Sequence, residues 1–199
     1  MFDLPTDLPA DLAPLSWLVG VWEGTGVLDY EASGHTYAGE FAHRVSFSHD
    51  GGSYLNYSAS AWLQSGDATT PLVSEMGYWR LSRPATDADA GPGLLPAREP
   101  ATARTVDDVE ALRNAEGGFD IEVSLVHADG VHELYLGQVR GPRIDLSTDA
   151  VVRAAGAKDY VAATRMYGLV DAHLLWAWDI AAFGQEVRSH ASARLARVD

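Results

Sequence analysis

The sequence predicts an all-β protein, a ten-stranded up-and-down antiparallel β-barrel, and three observations support this prediction. Aromatic residues occur in short runs with β-branched or small neighbours, a composition typical of strands. Glycine-containing turn signals separate many of these runs, at Asp50-Gly51-Gly52, Ala128-Asp129-Gly130 and Gly141-Pro142. The runs follow one another through mostly short connections, and closing such a meander into a barrel removes its unpaired edges.

Ten strands are predicted in chain order. They cover residues 17–30, 36–49, 53–63, 72–81, 119–127, 131–139, 143–146, 159–169, 173–182 and 187–198. Alternation is clearest in the fifth strand, where the apolar residues Phe119, Ile121, Val123 and Leu125 share one face. Side chains alternate between the two faces of a strand, so this pattern predicts a strand buried on one side.

Two segments interrupt the series of strands. Residues 6–18 place acidic side chains ahead of apolar ones, which predicts a short helix or turn that closes one barrel end. Residues 82–118 form a long excursion, rich in Pro, Ala, Asp and Gly in its first half. Within it, residues 105–113 predict a short helix capped by Thr105. We expect one domain, residues 1–199, with the excursion inserted between two barrel strands.

Composition excludes several classes of function. The absence of cysteine excludes disulfides, zinc–thiolate sites, iron–sulfur clusters and thiol nucleophiles. A formal net charge of -14 argues against nucleic acid and anionic membrane surfaces as partners, because their phosphates require a basic patch. The N-terminal residues do not resemble a secretory signal, and the apolar runs are too short to span a bilayer. We therefore expect a cytoplasmic protein.

Alternating glycines mark the start of the first strand, in Gly20-Val21-Trp22-Glu23-Gly24-Thr25-Gly26. The segment is not a dinucleotide fingerprint, because the chain is predicted to stay extended where that motif requires a helix. Glycines in a strand permit a bend, or the close approach of a flat ligand or a neighbouring aromatic ring. A bend packed under Trp22 is the favoured interpretation. Neither a G-x-S-x-G nor an H-E-x-x-H motif occurs.

Seven histidines are candidate ligands, and their sequence positions do not single one out. They are His35, His43, His49, His127, His132, His173 and His190. His127 and His132 flank a predicted turn, and histidines in that position are expected to be exposed rather than to form a metal site. The residues alone predict a barrel with room for an apolar ligand, and no specific function.

The glycine motif resembles the signature of the nitrobindin family, which consists of haem-binding ten-stranded β-barrels similar in shape to lipocalins and fatty-acid-binding proteins. Further segments match the family in order along residues 12–198. They are Phe47-Ser48-His49-Asp50-Gly51, Tyr54-Leu55-x-Tyr57, Glu75-Met76-Gly77-Tyr78-Trp79-Arg80, Val126-His127-Ala128-Asp129-Gly130-Val131, Ala157-Lys158, Arg165-x-Tyr167-Gly168-Leu169, Gly184-Gln185 and Ser189-His190-Ala191-Ser192-Ala193-Arg194-Leu195.

The resemblance implies a ferric haem b held by one histidine of the last strand, which corresponds to His190. A neutral imidazole nitrogen is a good iron ligand, and haem needs only one protein ligand when its other face stays open. Because the apolar residues of this strand alternate out of phase with His190, a bulge or strand start must turn its ring inward. Lys158 matches a family lysine near the haem, and Ala32 stands where the family's Tyr-Pro-Thr segment has its threonine.

The family scavenges nitrogen oxides, so the resemblance implies isomerisation of peroxynitrite to nitrate and binding of nitric oxide, with no catalytic group beyond the haem iron. The expected partners are these small molecules, and the expected state is a monomer or homodimer. Tyr30-Glu31-Ala32 departs from the family's Tyr-Pro-Thr, which motivates an alternative, a non-enzymatic carrier of a fatty acid or other small apolar ligand. A third hypothesis is a regulatory protein that contacts a partner through the 82–118 excursion.

Overall fold

Ten antiparallel strands form a closed barrel in the computed structural model, which describes residues 8–32, 34–65, 68–100 and 103–198. The predicted fold class is confirmed. The elements are a 3-10 helix (Ala10–Leu18), β1 (Gly20–Ala32), β2 (His35–Ser48), β3 (Leu55–Ser65), β4 (Ala68–Leu81), α1 (Val106–Glu110), β5 (Phe119–His127), β6 (Val131–Arg140), β7 (Arg143–Arg153), β8 (Tyr160–Val170), β9 (His173–Ala182) and β10 (Arg188–Arg197).

Each strand pairs with its neighbours in sequence, and β1 also pairs with β10, which closes the sheet. Successive connections therefore alternate between the two ends of the barrel. The 3-10 helix closes one end and buries Leu12, Leu15 and Leu18 completely. We call the opposite end the mouth; the β1–β2, β3–β4, β5–β6, β7–β8 and β9–β10 connections surround it.

Most strand boundaries agree with the sequence prediction, and two differ for physical reasons. β1 begins at Gly20 rather than at Trp17, because the 3-10 helix continues to Leu18, whose carbonyl accepts a hydrogen bond from Trp22 Nε1 at 2.7 Å. β7 continues to Arg153 instead of ending at Leu146. Its pairing with β6 shifts by one residue at Asp149, and this bulge disrupts the alternation from which the strand was predicted.

The glycines of the first strand allow two strands to approach closely. A Cβ at Gly24 would lie 2.2 Å from the carbonyl oxygen of Arg194, and one at Gly26 would lie 2.4 Å from that of Ser192. The Gly26 position also lies 2.6 Å from the ring of Phe41, so a neighbouring aromatic side chain fills the space. The motif therefore closes the barrel between β1 and β10 and does not surround a phosphate group.

The excursion between β4 and β5 packs against the closed end. Its short helix has a capping box, in which Thr105 accepts from the backbone N–H of Asp108 and the Asp108 carboxylate accepts from that of Thr105. This confirms the predicted cap. Val109 of this helix is buried, and Arg104 lies 3.7 Å from Asp11 of the 3-10 helix. Across the described ranges, none of the helices is long and apolar enough to cross a bilayer.

Candidate functional site

His190 lies in a β-bulge of β10 near the mouth. Ser189 pairs with Asp179 and Ala191 pairs with Trp178, so His190 is an extra residue without a partner in β9. A bulge re-aims the side chain that it contains. The bulge required by the alternation of this strand is therefore present, and it directs the His190 ring toward Tyr30 and Trp178.

Two aromatic rings hold the imidazole of His190. The Tyr30 ring centroid is 4.9 Å from it and the Trp178 centroid 5.5 Å, both in edge-to-face geometry. His190 Nδ1 is buried and has no hydrogen-bond partner among the described residues. Burial lowers the pKa of His190 to about 4. The ring is therefore neutral at neutral pH, and one nitrogen lone pair remains free for a ligand.

The other predicted site residues also lie at the mouth. Ala32 ends β1 and is 3% exposed, with its side chain inside the barrel. Lys158 is exposed on the β7–β8 connection, where its carbonyl accepts a hydrogen bond from Arg153. Glu31, between the inward-facing Tyr30 and Ala32, points outward. Its charge therefore lies on the outer wall.

The mouth fits a planar cofactor with one axial ligand. His190 offers a free nitrogen, and at Ala32 and Ala182 only methyl groups face the barrel interior. The indole N–H groups of Trp176 and Trp178 are buried without a partner in the described chain, which is unusual for a finished core. Trp17 and Trp79, away from the mouth, also carry indole N–H groups without a described partner, so the one that bears on a ligand at the mouth is that of Trp178, which contacts His190.

A buried charged cluster lies next to this pocket, and sequence reasoning did not find it. We call it the charge network; it consists of Glu75, His127, Glu133 and Arg165, all at most 6% exposed. The prediction that His127 is exposed is wrong, because it is the last inward-facing residue of β5. His132, on the other side of the turn, is exposed as predicted. The sequence signal for this network was the occurrence of charged residues at positions that the alternation of apolar residues assigns to the inside of the barrel.

Arg165 stands at the centre of the charge network. Its Nη1 and Nη2 atoms donate to the two carboxylate oxygens of Glu75, at 2.6 and 2.9 Å. Nη2 also donates to Glu133 Oε2 at 3.1 Å. His127 Nε2 lies 2.6 Å from the same Glu133 oxygen and 3.3 Å from Glu75 Oε2. One guanidinium therefore binds two buried carboxylates, and its single positive charge balances one of their two negative charges.

Tyrosine hydroxyls complete the hydrogen bonding of both carboxylates. Tyr57 donates to Glu75 at 2.6 Å, and Tyr135 donates to Glu133 at 2.5 Å. Tyr160 donates to the same oxygen of Glu133. Candidate ligand atoms of Glu75, His127 and Glu133 lie within 4.8 Å of one another, a spacing that could hold a metal ion. The arginine and tyrosine donors already occupy the carboxylate oxygens, so this geometry favours a closed network over a metal site.

The charge network supports the wall of the His190 pocket. Arg165 Cζ lies 4.3 Å from the ring centroid of Trp178, within cation–π distance, and Trp178 contacts His190. A second buried histidine, His43, lies on the far side of this wall, 4.8 Å from the ring of Trp176. Burial lowers the pKa of His43, and its Nδ1 is 3.1 Å from the Ser60 carbonyl oxygen.

Acid should destabilise the fold through Glu75. Burial by itself raises the pKa of this carboxyl, but the charge and hydrogen bonds of Arg165 outweigh burial and lower the pKa from 4.5 to about 2. Such a carboxylate stabilises the fold above its unfolded pKa and loses that contribution as the pH falls toward its folded pKa. We expect the free energy of unfolding, measured by urea denaturation, to fall between these two pH values.

The matched variants for this measurement are Glu75→Gln and Glu110→Gln. Glu110 forms an exposed ion pair with Arg113, so its replacement should leave the pH dependence nearly unchanged. Glu75→Gln removes the titrating group and should flatten the dependence. An equally steep loss of stability in Glu75→Gln would show that Glu75 does not cause it.

The fold and the site together define a class of protein: a closed β-barrel with a neutral histidine at its mouth. The chain belongs to the THAP4-like, heme-binding beta-barrel domain family, whose profile matches residues 11–197. The match covers the complete barrel, including His190.

Relatives of known name agree with this assignment. The chain is 64% identical to the peroxynitrite isomerase of Leifsonia xyli subsp. xyli and 58% identical to that of Clavibacter michiganensis subsp. michiganensis, over 100% of each chain. It also resembles the crystal structure of Rv2717c from M. tuberculosis, with a TM-score of 0.67 and 25% identity over 99% of this chain and 100% of that one.

Proposed function

We propose that this protein binds ferric haem b at its mouth, isomerises peroxynitrite to nitrate and binds nitric oxide. The observation that carries the proposal is the free nitrogen of His190, held between Tyr30 and Trp178. The similarity to the peroxynitrite isomerases of Leifsonia xyli and Clavibacter michiganensis supports the reaction. We further propose that the protein acts as one cytoplasmic domain, in a monomer or homodimer.

Each pocket residue has a distinct role in holding the cofactor. His190 would hold the iron through its free nitrogen, and the edge contacts of Tyr30 and Trp178 fix the orientation of its ring. Ala32 leaves space for the edge of the macrocycle, because no side chain beyond a methyl group projects from it. Lys158, on the rim, places a positive charge where the acidic groups of a haem would reach solvent.

When bound, ferric haem would supply a Lewis-acidic iron that can accept a small ligand. The residues around the pocket determine what reaches the iron. The faces of Trp176 and Trp178 present apolar surface and limit the access of water. An isomerisation transfers no net proton, so it needs no general base, and His190 is left free to bind the iron.

The barrel interior favours haem over the alternative ligand, a fatty acid. A fatty acid whose carboxylate lies inside the barrel needs a buried cation to pair with it. Arg165 is the buried arginine of the described interior, and Glu75 and Glu133 already pair with it. Large buried side chains, including Trp22, Trp79 and Tyr167, fill much of the remaining space.

The proposed activity is tested by mixing peroxynitrite rapidly with haem-loaded protein and measuring both the decay rate and the products. We expect the rate to increase in proportion to the concentration of loaded protein, and nitrate to increase at the expense of nitrite. Haem-free protein and haemin without protein are the controls. If loaded protein did not exceed free haemin in rate or nitrate yield, the proposed activity would be wrong.

A further inference from the structure

The rim of the mouth carries basic side chains beside acidic ones such as Asp159 and Glu186. Arg153, Lys158 and Arg188 lie on or beside the connections that surround it, although the whole chain has a net charge of -14. Arg153 is already paired, 3.0 Å from Asp159. Neither Lys158 nor Arg188 has an ion-pair partner among the residues that the structure describes. Of these two residues, Arg188 is the one whose side-chain contacts can be described.

The strand register places Arg188 on the inner side of the rim. Arg188 pairs with Ile180, whose side chain points into the barrel, and paired residues of neighbouring strands project to the same face. Its guanidinium carbon lies 5.5 Å from the ring centroid of Tyr30. That ring contacts His190 through its edge. Arg188, Tyr30 and His190 therefore form a continuous row from the rim into the pocket.

A neutral hydrogen-bonded chain holds Arg188 in place. Its Nη1 donates to the Gln185 side-chain oxygen at 3.0 Å, and Gln185 Nε2 donates to the Glu31 carbonyl oxygen at 2.6 Å. The side-chain amide of Gln185 is uncharged, so it fixes the position of the Arg188 guanidinium and leaves its positive charge unbalanced. A guanidinium has five N–H donors, and most of those of Arg188 remain available. The arrangement is suited to a carboxylate, which accepts two parallel N–H bonds from such a group.

We propose that Arg188 binds a carboxylate of the ligand that occupies the mouth, and that this carboxylate is a propionate of the haem. This inference rests on the proposed function, since it requires a haem whose iron is held by His190. A planar ligand coordinated at His190 extends past Tyr30 toward the rim, where its acidic substituents meet the guanidinium. Arg188 thereby orients the cofactor within the mouth.

The test compares haemin with haemin dimethyl ester, in which both carboxylates are esterified, in the same solvent mixture. Arg188→Met keeps the length of the side chain and removes its charge. We expect it to raise the dissociation constant of haemin about tenfold, in keeping with a charge-assisted hydrogen bond, and to leave that of the ester unchanged. Arg188→Lys should retain part of the preference for haemin over the ester.

Arg194→Met is the matched control, because Arg194 lies on the same strand and is exposed on the outer wall. It should change neither dissociation constant. An equal loss for haemin and ester in Arg188→Met would overturn the inference, since it would assign Arg188 a packing role, and so would no loss for either ligand. If Arg188→Met left the affinity for haemin unchanged but weakened the binding of nitrite to the haem-loaded protein, Arg188 would act on small anions and not on a haem carboxylate. That result would also overturn the inference. Failure of the unmodified protein to bind haemin would instead refute the proposed function.

Discussion

His190→Ala is expected to weaken haemin binding more than about a hundredfold and to remove the Soret band of histidine-ligated haem. Loss of a side chain that merely supports a metal ligand costs 10- to 100-fold, so loss of the ligand itself should cost at least the upper value. The protein has no cysteine, and among the described residues His43, His49 and His190 have an unpartnered buried nitrogen. Of these three, His190 lies near the mouth, whereas His43 lies along β2 and His49 follows β2 at the closed end. Titration with haemin, followed by absorption, measures this effect.

Two further variants separate ligation from general disturbance of the barrel. His132→Ala removes an exposed histidine of β6 and should bind haemin as the unmodified protein does. His190→Gly leaves a cavity between Tyr30 and Trp178, and added imidazole should restore the spectrum by entering it. If His190→Ala retained the spectrum of the unmodified protein, another residue would have to be the ligand.

Arg165→Met should cost about 3–5 kcal/mol of the free energy of unfolding, because it leaves two carboxylates buried without their cation. Glu75 loses two hydrogen bonds and Glu133 loses one. Urea denaturation at neutral pH measures the loss. Since Arg165 also packs on Trp178, the variant should shift the fluorescence of the tryptophans in the folded state.

The control for this prediction is Arg143→Met, which removes an exposed arginine paired with Asp145 at 2.7 Å. An exposed pair contributes at most about 1 kcal/mol, so the control should change stability little. Adding Glu75→Gln and Glu133→Gln to Arg165→Met should recover part of the loss, because the stranded charges are then gone. A loss below about 1 kcal/mol in Arg165→Met would contradict the view that one cation holds both carboxylates.

The fold was predictable because its signals are local. Short aromatic runs, glycine turns and the excursion at 82–118 fixed the number and order of strands, and β5 begins directly after that excursion, at Phe119. The prediction was wrong where a local irregularity broke the alternation. Because of the bulge at Asp149, the second half of β7 was not predicted as a strand. The residues predicted to begin β1 belong to the 3-10 helix.

The site was predictable only in part. The resemblance pointed to His190, and the alternation of β10 required the bulge that turns its ring inward. The charge network could not be predicted in the same way, because Glu75 and Arg165 are separated by 90 residues in sequence and lie on strands that do not pair. Their contact depends on the curvature of the closed barrel, which brings the inner faces of β4 and β8 together.

The central claim is that the neutral imidazole of His190 ligates a haem iron at the mouth. Resonance Raman spectroscopy of the reduced, haem-loaded protein tests this claim directly, when histidine of natural abundance is compared with isotopically labelled histidine. We predict one haem per chain and an iron–histidine stretching band that shifts on labelling and is absent in His190→Ala. A band that does not respond to the label, or one that persists in His190→Ala, would contradict the account.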